Sequence, residues 1–526
     1  MTPFAASFAL LLLPALAVGT TFWHFSDLHL DFLYSVGGNA SNLCHALAGG
    51  ELKKEKDGSG VGAAGVYGCD SPPVLALSSL EAMAALQPNV SLILWTGDSA
   101  PHWRASPPDQ DYIANVTSLV FTRLSELFPG VPVVPAVGNH DISPPDQWPE
   151  GGPAYASLWG PGGFSNQVPS GEKDSFLSCG FYSTVAAGLN FLVLNTNLYL
   201  RDHEVGGNDP CGQLKWLEER LVETEQRVDG KVFIVGHVPP GGQSWTSPND
   251  TVKELHERFL RLLVRFSDVI VGQLYGHTHT DSFRLIRSEK GKPVGLSLLQ
   301  GSVSPITGCN PSLRLYSCNS QKNTLVDFDQ YFIDLEQIDV VPNISAVELA
   351  KRWKLLYRAS ESYRLKDLSP ASLEGLWLKL RKKDTGLFKQ YQMNSVAGRQ
   401  GLDCDNDCWK KSVCMAGFTN DTQIENCLAT LSDGSQVRGG ILESPTPALA
   451  AFLLLIVLLT AGFCWMRACA GGPGDDQDEQ VLLQEQQGNL RQDLQLDPAT
   501  FVVTSYGSGD DAESGSDINQ SPPLAS

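Results

Sequence analysis

Five short blocks of this sequence carry His, Asp and Asn at spacings that suit metal chemistry. They are Asp27-Leu28-His29, Gly97-Asp98, Gly138-Asn139-His140-Asp141, Gly236-His237 and Gly276-His277-Thr278-His279. Neutral imidazole, carboxylate and an amide oxygen form a ligand set for zinc, iron or manganese. A pair spaced by one residue, such as Asp27/His29 or His277/His279, puts both side chains on one side of an extended segment. Two cations about 3.5–4 Å apart need a bridging carboxylate, and Asp98 is the natural bridge. Such a pair of ions acidifies a shared water, giving hydroxide near neutrality, and clamps a phosphoryl oxygen. One block alone would mean little. Five at one edge need a common partner, because an unpaired buried His or Asp is costly.

The elements that must position these blocks follow from the apolar runs before them. Strand-like runs occupy Val90–Thr96, Val131–Val137, Asn190–Asn195, Val232–Val235 and Val269–Tyr275. Helix-like stretches lie between, at Val74–Leu86, Tyr112–Leu127, Gln213–Gln226 and Val252–Phe266. In the last, Leu255, Phe259, Leu262, Leu263 and Phe266 make one apolar face. Four blocks directly follow a strand-like run, and the first follows Phe22-Trp23-His24-Phe25. Alternating strands and helices predict an α/β layered domain whose site forms at the carboxyl ends of the strands. Later strands, Gly295–Leu299 and Leu325–Leu335, come without helices between them and predict a second, partly antiparallel sheet. Val347–Arg364 and Leu373–Lys382 read as helices of a small subdomain that ends in the cluster Cys404, Cys408, Cys414 and Cys427.

Composition limits the partners. The chain has 526 residues and a net charge of −20, which argues against a stable nucleic-acid complex. Residues 471–526 hold eleven acids and a single base, Arg491, and predict a disordered acidic tail. Residues 1–19 read as a signal peptide, with an apolar run from Phe8 to Val18 and a small-residue cleavage site at Ala17-Val18-Gly19. Ser444 to Met466 is uncharged and long enough to span a bilayer. The expected location is therefore a single-pass membrane protein, its catalytic domain extracellular or in the lysosomal or endosomal lumen. The tail, 467–526, would be cytoplasmic, and Asp478–Leu483 resembles an acidic dileucine signal for a sorting adaptor. Twelve cysteines fit an oxidising compartment. Six sequons, at Asn39, Asn89, Asn115, Asn249, Asn343 and Asn420, fit a glycosylated domain.

The blocks resemble those of the calcineurin-like metallophosphoesterases. More narrowly, Phe22–Asp31, Leu94–His102, Ala136–Asp141, Gly180–Ser183, Leu194–Leu198 and Gly272–Asp281 are similar to the acid sphingomyelinase-like phosphodiesterases, and to their shorter, type 3 members. That resemblance implies a four-layer αββα sandwich over residues 20–340 and a helical, disulfide-rich subdomain over 341–435. It implies two zinc ions, one held by Asp27, His29 and His279, the other by Asn139, His237 and His277, with Asp98 between them. His140 would contact the substrate phosphate, and with His102 would stabilise the charged transition state or protonate the leaving oxygen. Cys44–Cys69, Cys404–Cys408 and Cys414–Cys427 are the disulfides it implies. Cys179–Cys211 and Cys309–Cys318 are suggested as additional pairs. The expected function is a zinc phosphodiesterase acting on nucleotide-type or phospholipid head-group phosphodiesters. The alternatives are a phosphomonoesterase or pyrophosphatase of the same fold, and a non-catalytic protein that binds lipids or receptors.

Overall fold

The computed structural model describes residues 19–45, 62–103, 107–200, 209–241, 252–319, 322–338, 344–383 and 385–431. Its strands are β1 (Thr20–Phe25), β2 (Tyr34–Asn39), β3 (Leu92–Trp95), β4 (Val133–Pro135), β5 (Tyr182–Ala186), β6 (Leu189–Val193), β7 (Val232–Val235), β8 (Ile270–Tyr275), β9 (Ser282–Arg287), β10 (Pro293–Leu299), β11 (Ser312–Asn319), β12 (Thr324–Phe332) and β13 (Lys354–Arg358). Two six-stranded mixed sheets result, ordered β13-β12-β11-β1-β3-β4 and β5-β6-β7-β8-β10-β9. The inner strands β3 and β7 are buried along their whole length, as strands covered on both faces must be. The sheets meet where Gly272 of β8 packs against Leu325 of β12.

Helices cover the sheets for reasons visible in their sequences. In Gln110–Leu127, Ile113, Val116, Val120, Phe121 and Leu124 form the buried face, and the Asp109 side chain caps the first turn through the Tyr112 N–H. Phe121 meets Trp95 of β3 edge-on, with ring centres 5.2 Å apart. Within the first sheet β1, β3 and β4 run parallel, and within the second β6, β7 and β8 do. The loops at their carboxyl ends therefore gather at one rim, and all five blocks lie there.

The chain after β12 departs from expectation. The predicted helix Val347–Arg364 is broken into Ala346–Ala350, strand β13 and Ala359–Tyr363. Its central residues extend the first sheet by pairing with β12, and Tyr357 is buried there. Cross-strand pairing outweighs a local pattern equally readable as helical. Tyr357 donates to Asp281, which also pairs with Arg314 of β11. Thus a carboxylate two residues after His279 is tied to two strands of the other sheet.

Two expectations are corrected. Cys309 and Cys318 are buried free thiols, not a disulfide. Cys318 lies near the far end of β11 while Cys309 precedes its start. At about 3.3 Å per residue the strand holds them far beyond the Cα separation of roughly 6 Å that a disulfide spans. The bridges present are Cys44–Cys69, Cys179–Cys211, Cys404–Cys408 and Cys414–Cys427. The location as a single-pass membrane protein is also corrected: among the described residues no helix is long and apolar enough to cross a membrane. The longest, Gln110–Leu127, is amphipathic and carries Asp111, Arg123 and Glu126. Residues 1–18 of the signal peptide, the 444–466 run, the acidic tail with Asp478–Leu483, and sequons Asn249 and Asn343 lie outside the described residues. Asn39, Asn89 and Asn115 are exposed and Asn420 is half-buried.

The Asp281–Arg314 pair is buried on both sides, so removing one partner strands a charge. Arg314→Met is expected to lower unfolding free energy by about 3–5 kcal/mol. Arg358→Met, which breaks the half-exposed pair with Asp329, should cost less than about 1 kcal/mol. Denaturant titration of the two variants measures both.

Candidate active site

Backbone geometry brings the blocks together. Asp27, His29, Asp98, His277 and His279 all have left-handed backbones, with φ of 51°, 42°, 58°, 68° and 57°. Asp27 and His29 are therefore not extended as their spacing suggested; each bends the chain back toward the site. Non-glycine residues pay about 1–2 kcal/mol for that conformation, and such strain concentrates at functional sites. Backbone hydrogen bonds lock it. The Asp27 and His29 N–H groups donate to the carbonyls of Gly97 and Asp98, both at 3.1 Å. Gly276 and Gly138 permit the close approach. A Cβ at Gly276 would lie 1.9 Å from Ser26 Oγ, and one at Gly138 would lie 2.0 Å from Asp98 Oδ1.

The side chains form two touching groups with Asp98 between them. In the first, His279 Nε2 stands 3.2 Å from His29 Nε2 and 3.3 Å from Asp27 Oδ1. In the second, His237 Nε2 is 2.9 Å from Asn139 Oδ1, and His277 Nδ1 is 3.0 Å from the same oxygen. Asp98 Oδ2 lies 3.1 Å from His237 Nε2 and 3.5 Å from His29 Nε2, facing both. Asp27, His29, Asp98 and His237 are essentially inaccessible to solvent.

Which atoms carry protons follows from their outer partners. A carbonyl only accepts, so His29 Nδ1 donates to Ala100 O at 2.9 Å and His237 Nδ1 to Thr96 O at 2.7 Å. In the neutral rings both Nε2 atoms then present lone pairs to carboxylate, amide oxygen and other imidazole nitrogens. Acceptors pointed at acceptors need a positive charge among them. Alone, the protein supplies a proton: burial disfavours a charged His237, but Asp98, with Asp27 and the Thr96 carbonyl, raises its pKa to about 9. His277 is pushed down to about 3 by burial and by His237. Burial raises Asp98, yet His237 and His140 hold it well below its ordinary range. A divalent cation in each group would satisfy these lone pairs. Asp27/His29/His279 and Asp98/His237/His277 each have ligand atoms close enough to hold one ion. The donor set fits.

His102 and His140 stand beside the first group. Their ring centres are 4.2 Å apart and lie 4.3 Å and 5.0 Å from that of His29. The His140 N–H donates to Asp98 Oδ1 at 2.8 Å.

Sequence reasoning missed the groups that hold these side chains in place. Buried Asp70 accepts the His102 backbone N–H at 2.7 Å and faces its Nδ1 at 3.1 Å, and Ser304 Oγ donates to it at 3.0 Å. Burial lowers the His102 pKa, but Asp70, with Asp98 and Asp27, raises it overall. Asp70 belongs to no motif block, and its only sequence mark is its place after Cys69. Asp141, within a block but given no role, accepts the N–H groups of Gly138, Asp98 and Ser99 at 2.7, 3.0 and 2.8 Å. It ties the Asn139 loop to the Asp98 turn.

This geometry agrees with comparisons to known proteins. The family model for calcineurin-like phosphoesterase matches residues 20–281, and that for the acid sphingomyelin phosphodiesterase C-terminal region matches 297–433. Human "Cyclic GMP-AMP phosphodiesterase SMPDL3A" is 32% identical over 435 residues, covering 80% of this chain and 92% of that protein. Human "Acid sphingomyelinase-like phosphodiesterase 3b" is 31% identical over 459 residues, covering 84% and 94%. The chain belongs to the calcineurin-like phosphoesterase family. Within it, the chain is similar to the acid sphingomyelinase-like phosphodiesterases. Human "Sphingomyelin phosphodiesterase" is 29% identical over 439 residues, covering 78% of this chain and 65% of that longer protein. The C-terminal match begins at residue 297, inside β10, so it includes strands of both sheets as well as the helices that follow.

Asp141 holds the two loops that carry Asp98 and Asn139. Asp141→Asn replaces an acceptor oxygen with a donor facing N–H groups. The expected result is a divalent-metal affinity weaker by about 10–100-fold with circular dichroism unchanged. Competition against a calibrated chelator measures it.

Proposed function

We propose that this chain is a zinc-dependent phosphodiesterase acting on nucleotide-type or phospholipid head-group phosphodiesters. The observation that carries the reading is Asp98, a buried carboxylate facing His29 Nε2 on one side and His237 Nε2 on the other. Asp27, His29 and His279 would hold one cation, Asn139, His237 and His277 the second, with Asp98 shared. Cations so placed acidify water and draw charge from a phosphoryl oxygen.

The protein's own groups supply the rest. His102 Nδ1–H is held by Asp70, which leaves Nε2 to deliver a proton to the departing alkoxide. The Asp70 carboxylate favours the charged imidazolium that must exist before that transfer. His140, fixed through its backbone N–H on Asp98, is placed to contact a phosphate oxygen. A diester so cleaved yields a phosphomonoester and an alcohol. The names of the relatives favour a diester over a monoester, since all three reported above are called phosphodiesterases.

Rates on bis(p-nitrophenyl) phosphate and p-nitrophenyl phosphate test this reading. We expect faster diester hydrolysis that a chelator abolishes and zinc restores. Faster monoester hydrolysis, or activity indifferent to chelation, would contradict it. His102→Ala should lower kcat about 10²–10⁴-fold on a diester with an alkyl leaving group. The loss should be much smaller with p-nitrophenolate, which leaves without a proton. Asp70→Asn should follow the same pattern to a lesser degree.

A further inference from the structure

The described residues include two arginines that are almost wholly buried, Arg284 and Arg314, and they differ in one respect. Arg314 pairs with Asp281. Arg284, on β9 and 1% exposed, pairs with no carboxylate among the described residues. Its Nη1 donates to the Pro240 carbonyl at 2.5 Å. Burial pulls its pKa down to about 10, with the side chains of Tyr391 and Tyr275 acting in the opposite sense. The nearby His256, whose Nδ1 lies 3.8 Å from Asp421 Oδ1, is itself held neutral: burial together with Arg284 lowers its pKa to about 4. At neutral pH Arg284 is therefore a cation in a desolvated place with no carboxylate in ion-pair contact among the described residues, an arrangement proteins seldom tolerate.

That guanidinium lines a cavity of about 30 Å³. Its lining residues also include Thr280, Ser282, Tyr391, Ser395 and Ser412, all of which carry hydroxyls; that of Thr280 donates to Thr278 Oγ1 at 3.3 Å. Ser395 Oγ is already committed to the Gln392 carbonyl at 2.8 Å; no partner of the Ser282 or Ser412 hydroxyl is seen among the described residues. The space suits one or two water-sized species, too little for a phosphate or a nucleotide. We propose that this cavity is a binding site for a monatomic anion, chloride in ordinary solution, held by Arg284 and the hydroxyls around it. The anion would neutralise the guanidinium and join β9 to the helices Gly386–Ser395 and Asn406–Gly417, which contribute Tyr391, Ser395 and Ser412. The site is separate from the metal groups, although Thr280 adjoins His279.

The test uses the full chain with its metals, in sodium bromide against sodium gluconate at constant ionic strength. Bromide is expected to raise Tm saturably, by roughly 2 °C, and Arg284→Met should lose this response. Crystals soaked in bromide should show an anomalous peak beside Arg284. Equal Tm in both salts, or a response that Arg284→Met retains, would overturn the proposal. A peak without any Tm response would mean an adventitious ion only and would equally overturn it. If Arg284→Met fails to fold, the wild-type titration and the peak decide together, and a saturable response with no peak at Arg284 counts against the site.

Discussion

Two carboxylates, an amide oxygen and four imidazoles cannot share one buried rim unless positive charge lies among them. His29 and His237 make the constraint acute, because backbone carbonyls take their Nδ1 protons and turn their Nε2 lone pairs inward. Much of the surrounding architecture answers to that demand. The parallel strands deliver the loops, the left-handed turns aim the side chains, and glycines let one loop lie against another. The strain in those turns persists because each loop starts from a sheet strand and is held to its neighbours by backbone hydrogen bonds.

The site was more legible in the sequence than the frame that holds it. Asp27, His29, Asp98, Asn139, His237, His277 and His279 could be found because each block follows an apolar strand, a local signal. The structure brings all seven together, with His102 and His140 beside them. Asp70 could not be found in this way. It meets His102 across a separation of 32 residues, and nothing local marks that contact. β13 was misread for a similar reason. Its residues become a strand by pairing with β12, a non-local interaction that local periodicity does not record. The proposed Cys309–Cys318 bridge failed because closeness in sequence is not closeness in space when a strand lies between.

The region after residue 297 is woven into the fold that carries the site. β11 lies beside β1, whose end leads directly into Asp27, and β12 lies beside β11. The Asp281 N–H donates to the Ser395 carbonyl at 3.0 Å, and its carboxylate reaches Arg314 and Tyr357. The His277–His279 loop is thereby anchored at its far end by three separate segments. A substitution in the C-terminal region can reach the chemistry along this route without touching a ligand.

The count of bound cations tests the central claim most directly. Purified full-length chain, stripped with chelator and dialysed against limiting zinc, should bind two ions per chain by elemental analysis, and Asp98→Asn should fail to hold both. Binding of no zinc, or full binding by Asp98→Asn, would contradict the account.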